Sequence, residues 1–488
     1  MLRNLPRPLR LAARLTAFCL LAALLLWYAD AVLTEKTSTF WGLYDEPRDT
    51  IDVLYVGGSH ANAAISPLQI YEQQRFTGYV AYSWSQPIWT SYHYIKEALK
   101  TQSPQVVVLD TFGLVYGNTY IEAPLIDATS DQFSPRIKPG LNRLLLTVAM
   151  SRCQVTHKPF YQYNSLLQFH TRWKSLTAED WTWPFVSHAS PGKGFGPIYT
   201  TEVFSQSPPA AIIEQAGYAP AEEYLYKIIE LSKKEGFQLV LVDLPYIATE
   251  TEYGIYARAR RICEENGVPY ISYLLDDTAA EAGFDYATDM AEHAHVNYKG
   301  AAKLSAHLGA WLAEQYDLPD RRQDPAYASW SELAAAEQKD LQDGDLSMTH
   351  DPLELLQKAL DERYLLVVQT QGDLTGADGA AVAAAFDAVG LDGSIFASST
   401  AHALYVFEGG EMLYGQVAEG ETLAYTWTDG THTVEADSRP DSASCRLDGE
   451  EIGRNRPGVN IAVVDRETGE RVQSISFSTL HDYAAYTA

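Results

Sequence analysis

The chain has 488 residues, of which 46% are hydrophobic, so it is long enough to form two or three domains with buried cores. This composition excludes the collagen-like, disordered and small disulfide-framework classes. Acidic residues outnumber basic ones by 63 to 36, and the resulting net charge of −27 argues against nucleic acid as a partner. The four cysteines show no spacing typical of a metal site, and we predict neither a metal nor a cofactor.

Residues 1–33 have the pattern of an N-terminal transmembrane helix that anchors the chain in the cell membrane. Four arginines precede an apolar run from Leu15 to Ala29, and few cations follow it. This asymmetry predicts a single-pass protein with its N-terminus in the cytoplasm and its main domains outside. The alternatives are a signal peptide cleaved after Ala31, which would give a secreted protein, and a buried helix of a cytosolic protein.

Residues 34–318 alternate apolar strands with helices. Strands are predicted at 51–57, 79–83, 105–109, 238–243 and 268–273, and helices at 66–74, 90–100, 221–235, 250–265 and 298–315. Unbroken apolar strands joined by helices predict a parallel sheet covered on both faces, in a three-layer α/β/α arrangement. Residues 115–217 are irregular and aromatic, and we interpret them as an insertion or lid over the carboxyl edge of the sheet.

The composition changes after Leu318. Residues 319–360 are polar and charged and are predicted to form a partly helical linker. Residues 361–488 are predicted to form a compact β-rich domain, with strands at 364–369, 402–408, 421–427 and 458–464 and one helix at 377–388. Residues 351–488 contain about 23 acidic and 8 basic residues, so the excess of acid is concentrated there.

Two segments carry residues suited to catalysis. The first strand ends in Gly57-Gly58-Ser59-His60, where glycines permit a sharp turn and a serine hydroxyl would stand at the sheet edge. The segment from Glu292 to Asn297 precedes the last helix, and so lies at the same edge. A carboxylate three residues before His295 can accept its Nδ1–H and stabilise the imidazolium that forms when the histidine takes the serine proton. Each segment alone also fits an ordinary turn or a structural histidine.

Together the two segments resemble the SGNH/GDSL hydrolase superfamily, which has a Gly-x-Ser block after its first strand and an Asp-x-x-His block before its last helix. The resemblance covers about residues 48–318 and implies a flavodoxin-like fold. Within the superfamily, the chain looks closest to the membrane-anchored alginate O-acetyltransferases and the teichoic-acid D-alanylation protein DltD.

The resemblance implies that Ser59 is the nucleophile and that His295 is its general base. Glu292 would orient His295, at a position where the family usually has aspartate, and Asp289 is the alternative acid. The backbone N–H of Ser59 or His60 would supply part of an oxyanion hole.

The chain departs from the family after its second and third strands. The family's Asn block is absent, because the third strand ends at Asp110, which we expect to cap a loop. The family's glycine block is hard to place, and the side-chain amide of Gln86 could serve as an oxyanion donor in its place. The oxyanion or pocket candidates are therefore Gly58, His60, Gln86 and Asn297.

The segment 454–479 is similar to the interleukin-like EMT-inducer (ILEI) pattern, which runs Arg-Gly-x-Asn, an apolar strand, Asp-x-x-x-Gly and Phe-Asp-Thr. Here a proline intervenes before Gly458, and Ser478 replaces the aspartate. The resemblance implies a β-sandwich-like accessory module that could hold a polysaccharide. A structural cap or a protein-contact module is an equal alternative.

These resemblances imply an extracytoplasmic, membrane-anchored serine esterase or O-acyltransferase of the O-acetyl class that acts on a cell-surface polysaccharide. A transferase would receive its acyl group through a membrane-bound O-acyltransferase partner. The alternative is a catalytically inactive glycan-binding or scaffold subunit. A nucleotide site at the two glycines is a third interpretation, disfavoured because no lysine follows them to meet the phosphates.

Overall fold

The fold is taken from a computed structural model that describes residues 6–34, 40–115, 137–138, 140–153, 166, 169–376, 379–479 and 485–486. The chain divides into two compact units, Met1–Glu337 and Gln338–Ala488. This division falls inside the predicted linker 319–360, whose exact limits remain predictions.

The first unit begins with one apolar helix, α1 (Arg7–Leu33). Its 27 residues span about 40 Å at ~1.5 Å per residue, which exceeds the ~30 Å hydrocarbon core of a bilayer. Among the described residues it is the one helix long and apolar enough to cross a membrane, and its most apolar stretch is exposed. The helix is therefore suited to be a membrane anchor or a signal segment.

A parallel sheet forms the centre of the first unit. Its strands are β1 (Val53–Gly57), β2 (Gly78–Tyr82), β3 (Val106–Asp110), β4 (Gln238–Asp243) and β5 (Tyr270–Ser272). Their order is β2-β1-β3-β4-β5, and all neighbouring pairs are parallel. The first three strands are buried throughout, as their unbroken apolar sequences predict. The strand order changes direction between β1 and β3, where ligands bind in sheets of this kind.

Helices connect these strands, and their ends follow from local capping. Ser66 accepts a hydrogen bond from the Gln69 N–H and precedes a proline, which fixes the start of one helix. The predicted strands and helices of this unit agree with the structure to within two residues at each end. The helices after α1 are α2 (Phe40–Leu43), α3 (Ser59–Ala64), α4 (Pro67–Gln74), α5 (Ile88–Ala98), α6 (Leu141–Cys153), α7 (Ala178–Thr182), α8 (Ala219–Glu235), α9 (Glu250–Asn266), α10 (Thr278–Glu281) and α11 (Tyr298–Gln315).

The predicted insertion 115–217 has two described parts with different surroundings; residues 116–136 and 154–165 lie outside the described residues. Its helix α6 packs against α5 through a buried polar network. Asn142 Nδ2 donates to Glu97 Oε2 at 2.8 Å, and Asn142 Oδ1 lies 2.8 Å from His93 Nδ1. This part of the insertion is a structural addition to α5.

The later part of the insertion borders the edge of the sheet. The Val80 N–H of β2 donates to Lys193 O, and the Glu202 N–H donates to Met290 O, two residues before Glu292. These contacts place residues near 193 along the edge strand β2, and the lid over the carboxyl edge remains a prediction.

The second unit contains two antiparallel sheets. The six-stranded sheet has the order β10 (Glu411–Ala418), β9 (His402–Glu408), β8 (Tyr364–Gln371), β15 (Gly458–Asp465), β16 (Arg471–Phe477) and β17 (Ala485–Tyr486). The four-stranded sheet has the order β11 (Leu423–Thr428), β12 (Thr433–Arg439), β13 (Ser442–Leu447) and β14 (Glu450–Glu451). Successive residues of β8 point to opposite faces of the six-stranded sheet. Leu366 and Val368 pack with apolar residues of helices, whereas Leu365 and Val367 pack with residues of the four-stranded sheet. The unit is thus a β-rich layered structure, with one sheet between helices and a second sheet.

The remaining elements are two short strands of the first unit, the strands of the second unit, and three helices. The strands are β6 (Met290–Glu292), β7 (His295–Val296), β8 (Tyr364–Gln371), β9 (His402–Glu408), β10 (Glu411–Ala418), β11 (Leu423–Thr428), β12 (Thr433–Arg439), β13 (Ser442–Leu447), β14 (Glu450–Glu451), β15 (Gly458–Asp465), β16 (Arg471–Phe477) and β17 (Ala485–Tyr486). The helices are α12 (Ala328–Ser347), α13 (Pro352–Ala359) and α14 (Gly379–Ala388).

The predicted linker is more ordered than its polar composition suggested. Helices α12 and α13 occupy most of it, and Trp330 belongs to the apolar core of the first unit. Leu346, Leu355 and Leu356 belong to the core of the second unit. These apolar residues are widely spaced among charged ones. The segment was therefore predicted to be a linker, although its residues contribute to the cores of both units.

Two buried carboxyl groups stand at the ends of neighbouring strands. Burial raises the pKa of Asp110, at the end of β3, to about 7, although backbone N–H groups of Phe112 and Gly58 offset part of this effect. Burial likewise raises the pKa of Asp243, at the end of β4, to about 6. Asp110 also accepts a hydrogen bond from the Phe112 N–H at 3.1 Å, so it caps the turn after β3 as expected.

Asp110→Asn tests this burial. The wild-type carboxyl stays protonated in the folded chain up to about pH 7 but ionises in the unfolded chain near pH 4, so its contribution to stability falls as pH rises between these values. Asparagine does not ionise, so its contribution to stability does not fall as pH rises. We expect the free energy of unfolding of the variant, relative to wild type, to increase by about 3 kcal/mol from pH 4.5 to pH 8.

The measurement is chemical denaturation of the full chain in detergent at several pH values, with the exposed Asp317→Asn as a matched control. The control should follow the wild-type curve. If Asp110→Asn also follows it in parallel, the carboxyl is not buried as described.

Candidate active site

The turn after β1 presents Ser59 at the edge of the sheet. Ser59 is the first residue of α3, and the chain passes from strand to helix through Gly57 and Gly58 alone. A Cβ on Gly57 would lie 2.5 Å from Asp110 Cβ and 2.8 Å from Ala61 Cβ, so only glycine fits there. The half-buried serine therefore sits on a tight strand-to-helix turn, beside the point where the strand order changes direction.

A small hairpin brings an imidazole to this serine. Strands β6 and β7 are antiparallel, and Glu292 and His295 are partners across the ladder. The Nδ1 of His295 contacts Glu292 Oε1, and since an ionised carboxylate only accepts hydrogen bonds, the ring proton lies on Nδ1. His295 Nε2 is then an acceptor, and Ser59 Oγ donates to it at 2.7 Å.

The carboxylate of Glu292 is held in its charged form. Partial burial raises its pKa, but the Ala294 N–H and the hydrogen bond and charge of His295 outweigh this, so the pKa of Glu292 lies below its usual value. Its Oε2 accepts from the Ala294 N–H at 2.9 Å and lies 2.9 Å from Nδ1 of the exposed His293. Glu292 is thus suited to orient His295 and to stabilise an imidazolium.

His60 is buried beside the catalytic candidates. Its ring stacks on Phe112 at 3.7 Å between centroids and meets Tyr246 and His295 edge to face at 5.1 and 5.2 Å. Burial, with the nearby histidines His295 and His293, holds the pKa of His60 well below its usual value. His60 therefore forms a neutral wall next to His295 and is not placed to act as a second base.

The side chain of Gln86 is not placed as expected. Its Oε1 accepts from Ser83 Oγ at 2.9 Å and its Nε2 donates one hydrogen to Ser91 Oγ at 3.0 Å, so the buried amide is held between the end of β2 and helix α5. The group of Gln86 that lies near the turn is its backbone N–H, and not its side-chain amide as predicted. Its backbone N lies 3.6 Å from where a Cβ on Gly58 would stand.

Two backbone N–H donors lie at the turn, those of Gln86 and Ser59. In the part of the chain that the structure describes, neither has a hydrogen-bond acceptor. The preceding Ser85 has a φ of 53°, a left-handed conformation that is uncommon for serine and helps to aim this loop. Unpaired N–H groups beside a nucleophile are suited to receive an oxyanion.

Asn297 and Asp289 have structural roles in place of the expected ones. Asn297 is buried and caps α11 through the N–H groups of Lys299 and Gly300, while its Nδ2 donates to Thr201 and to backbone carbonyls. It does not line the pocket. Asp289 is buried and pairs with Lys303 Nζ at 2.6 Å, so it does not contact His295 and is not the alternative acid.

Sequence reasoning missed three residues of the site. Phe112 and Tyr246 follow β3 and β4 and enclose His60, and the same sheet-edge argument that located Ser59 would have found them. Asn62 lies one helical turn after Ser59, and its Nδ2 donates to Gly194 O at 2.8 Å. This contact joins the insertion to helix α3, which begins at Ser59.

Within the described residues, no group of three or more His, Cys, Asp or Glu side chains is placed to hold a metal ion. All four cysteines are described, and each is a free thiol. The hydrogen-bonded residues at the site offer the chemistry of a serine, a histidine and a carboxylate.

No protein-family model and no curated protein matches the chain. Among solved structures, it is similar to a protein from Bacteroides fragilis to which an acylhydrolase activity has been attributed, with 11% sequence identity and a TM-score of 0.29. The match covers 57% of this chain and 99% of that chain. A likeness at this TM-score carries no argument about the fold or the activity of this chain.

Proposed function

We propose that the chain is an SGNH-type serine esterase or O-acyltransferase, membrane-anchored and extracytoplasmic, that acts on O-acyl groups of a cell-surface polysaccharide. The observation that carries the proposal is the hydrogen-bonded series Ser59, His295 and Glu292. The strand order β2-β1-β3-β4-β5 supports the flavodoxin-like fold of that superfamily, with Ser59 at the change of direction.

The geometry suggests the following steps. Ser59 Oγ attacks the carbonyl carbon of an acyl ester while His295 Nε2 takes its proton, and the Glu292 carboxylate stabilises the imidazolium. The N–H groups of Ser59 and Gln86 would receive the oxyanion of the tetrahedral intermediate. His295 then protonates the leaving alcohol, and water or a sugar hydroxyl resolves the acyl-enzyme. As a transferase, the protein would receive its acyl group from a membrane-bound O-acyltransferase.

A groove elsewhere in the first unit supports a saccharide as substrate. It has a volume of about 630 Å³ and is lined by aromatic rings, among them Tyr253 and Tyr286, and by three aspartates. Aromatic faces pack on the C–H faces of sugar rings, and carboxylates accept hydrogen bonds from their hydroxyls. Tyr253 belongs to the same apolar cluster as Tyr246, which contacts His60, although none of Ser59, Glu292 and His295 lines the groove.

Ester turnover by the full chain in detergent tests the proposal, with p-nitrophenyl acetate as substrate. We expect Ser59→Ala and His295→Ala each to lower kcat/KM by roughly 10³-fold or more, because each removes a partner that acts only as a unit with the other. Glu292→Gln should reduce it by roughly 10²-fold or more. His293→Ala should retain most of the turnover, because His293 does not contact Ser59.

The exposed Ser103→Ala is the matched control for the nucleophile and should behave as wild type. Equal background rates for wild type and Ser59→Ala would contradict the enzyme. If such a protein binds polysaccharide, it is the inactive glycan-binding or scaffold subunit.

The contacts of α1 support an anchor that is retained. Asp30, near its end, pairs with Arg143 at 2.8 Å, and Tyr28 donates to Trp181 O at 3.0 Å. Cleavage after Ala31 would remove both contacts. Trp181 and Phe185 lie against Tyr28 yet are 51% and 72% exposed, and aromatic residues at the end of a membrane span are typical of the lipid–water interface.

Cell fractionation tests the anchor. We expect the protein to remain in the membrane pellet after alkaline carbonate extraction and to have the mass of the uncleaved chain. A chain beginning at residue 34 and fused to a cleavable secretory signal is the control and should be released. Recovery of the natural protein in soluble form with an N-terminus after Ala31 would contradict a retained anchor.

A further inference from the structure

A cavity of about 290 Å³ in the second unit has an unusual lining. We call it the arginine pocket; it is lined by Ser347, Met348, His350, Arg454 and residues 471–474. These residues come from the end of α12 and the loop after it, from the loop before β15, and from the start of β16. The pocket therefore lies entirely within this unit.

The arginines of this pocket lack carboxylate partners in a strongly acidic part of the chain. Residues 351–488 contain about 23 acidic and 8 basic residues, so acids greatly outnumber bases there. Five of these bases form ion pairs with nearby carboxylates: Lys358, Arg363, Arg439, Arg446 and Arg466. Arg454 and Arg471 form no ion pair in the described residues, although they are close neighbours.

Arg454 is held in place with one donor unused. Its Nε donates to Ser474 O at 2.9 Å, whereas its Nη2 is buried and has no hydrogen-bond acceptor in the described part of the chain. Partial burial, and then the charges of Arg471 and Arg456, hold the pKa of Arg454 below its usual value. A buried charged donor without an acceptor is destabilising, and a bound anion would satisfy it and relieve the repulsion.

The walls of the pocket are fixed by side chains that are already satisfied. Gln473 is buried, and its Nε2 donates to Ser347 O at 2.5 Å, which ties β16 to the end of α12. Ser474 is buried, and its Oγ donates to Ile452 O at 2.7 Å. These contacts hold the pocket in a fixed shape, so a ligand would meet prepositioned groups.

We propose that the arginine pocket binds one oxyanion group, a carboxylate or phosphate, carried on a small and otherwise uncharged ligand such as a sugar acid or a sugar phosphate. Guanidinium groups bind both oxyanions through paired N–H donors, and two arginines are placed to do so here. The acidic surroundings repel a polyanion, which limits the ligand to a single charged group. The proposal does not depend on catalysis by Ser59.

Calorimetric titration of the full chain in detergent tests the pocket, with glucuronic acid, glucose 6-phosphate, inorganic phosphate and neutral glucose as probes. At least one anionic probe should bind, and glucose should not. Tighter binding of the sugar anions than of inorganic phosphate would assign the group to a saccharide, and equal binding would assign it to a free anion. Arg471→Gln, at an exposed residue, should weaken binding by about ten-fold or more.

Arg439→Gln is the matched control, because it removes the same charge from an exposed arginine of this unit that pairs with Asp437 outside the pocket. It should change affinity by less than about two-fold. The proposal is overturned if none of the three anions binds at concentrations up to about 10 mM, or if Arg439→Gln weakens binding as much as Arg471→Gln does.

Discussion

The hydrogen bond from Ser59 Oγ to His295 Nε2 joins residues 236 positions apart, and the first unit is built so that they meet. Parallel strands end at a common edge, and the reversal of strand order between β1 and β3 leaves room there for a ligand. The turn at Gly57 and Gly58 places Ser59 at this edge. The hairpin of β6 and β7, which has a two-residue loop, places His295 there. Without the contact between Ser59 and His295, the unpaired N–H groups at the turn would have no reactive serine beside them.

The surroundings of these residues set their protonation consistently. Glu292 is kept ionised by donors around it, which fixes the Nδ1 tautomer of His295 and leaves Nε2 free to take a proton. The adjacent His60 is kept neutral by burial, so it adds no positive charge that would oppose an imidazolium. The two histidines are neighbours in space but differ in role because one faces a carboxylate and the other faces Phe112 and Tyr246.

Much of the first unit could be predicted from its sequence, because unbroken apolar strands and capped helices are local signals. The meeting of Ser59, Glu292 and His295 was also predictable, since their spacing and sheet-edge positions follow from that pattern. The partners of Gln86, Asn297 and Asp289 were not: amides and carboxylates bind whichever group folding brings near. For Gln86 and Asp289, these groups are Ser91 and Lys303.

The second unit was predicted less completely for a similar reason. Strand β11 was predicted at 421–427, whereas β10, β12, β13 and β14 were not predicted, because polar and charged residues on their exposed sides weaken the apolar alternation. The polar sequence of α12 gave no indication that Trp330 and Leu346 contribute to apolar cores. In both cases the burial of a few residues by tertiary contacts outweighs the local composition.

Intact-mass spectrometry of the protein after incubation with a fluorophosphonate tests whether Ser59 is an activated nucleophile. We expect a single covalent adduct located on Ser59, absent in Ser59→Ala and formed far more slowly in His295→Ala. No adduct on Ser59, or an adduct that forms equally fast without the histidine, would contradict an activated serine at this site.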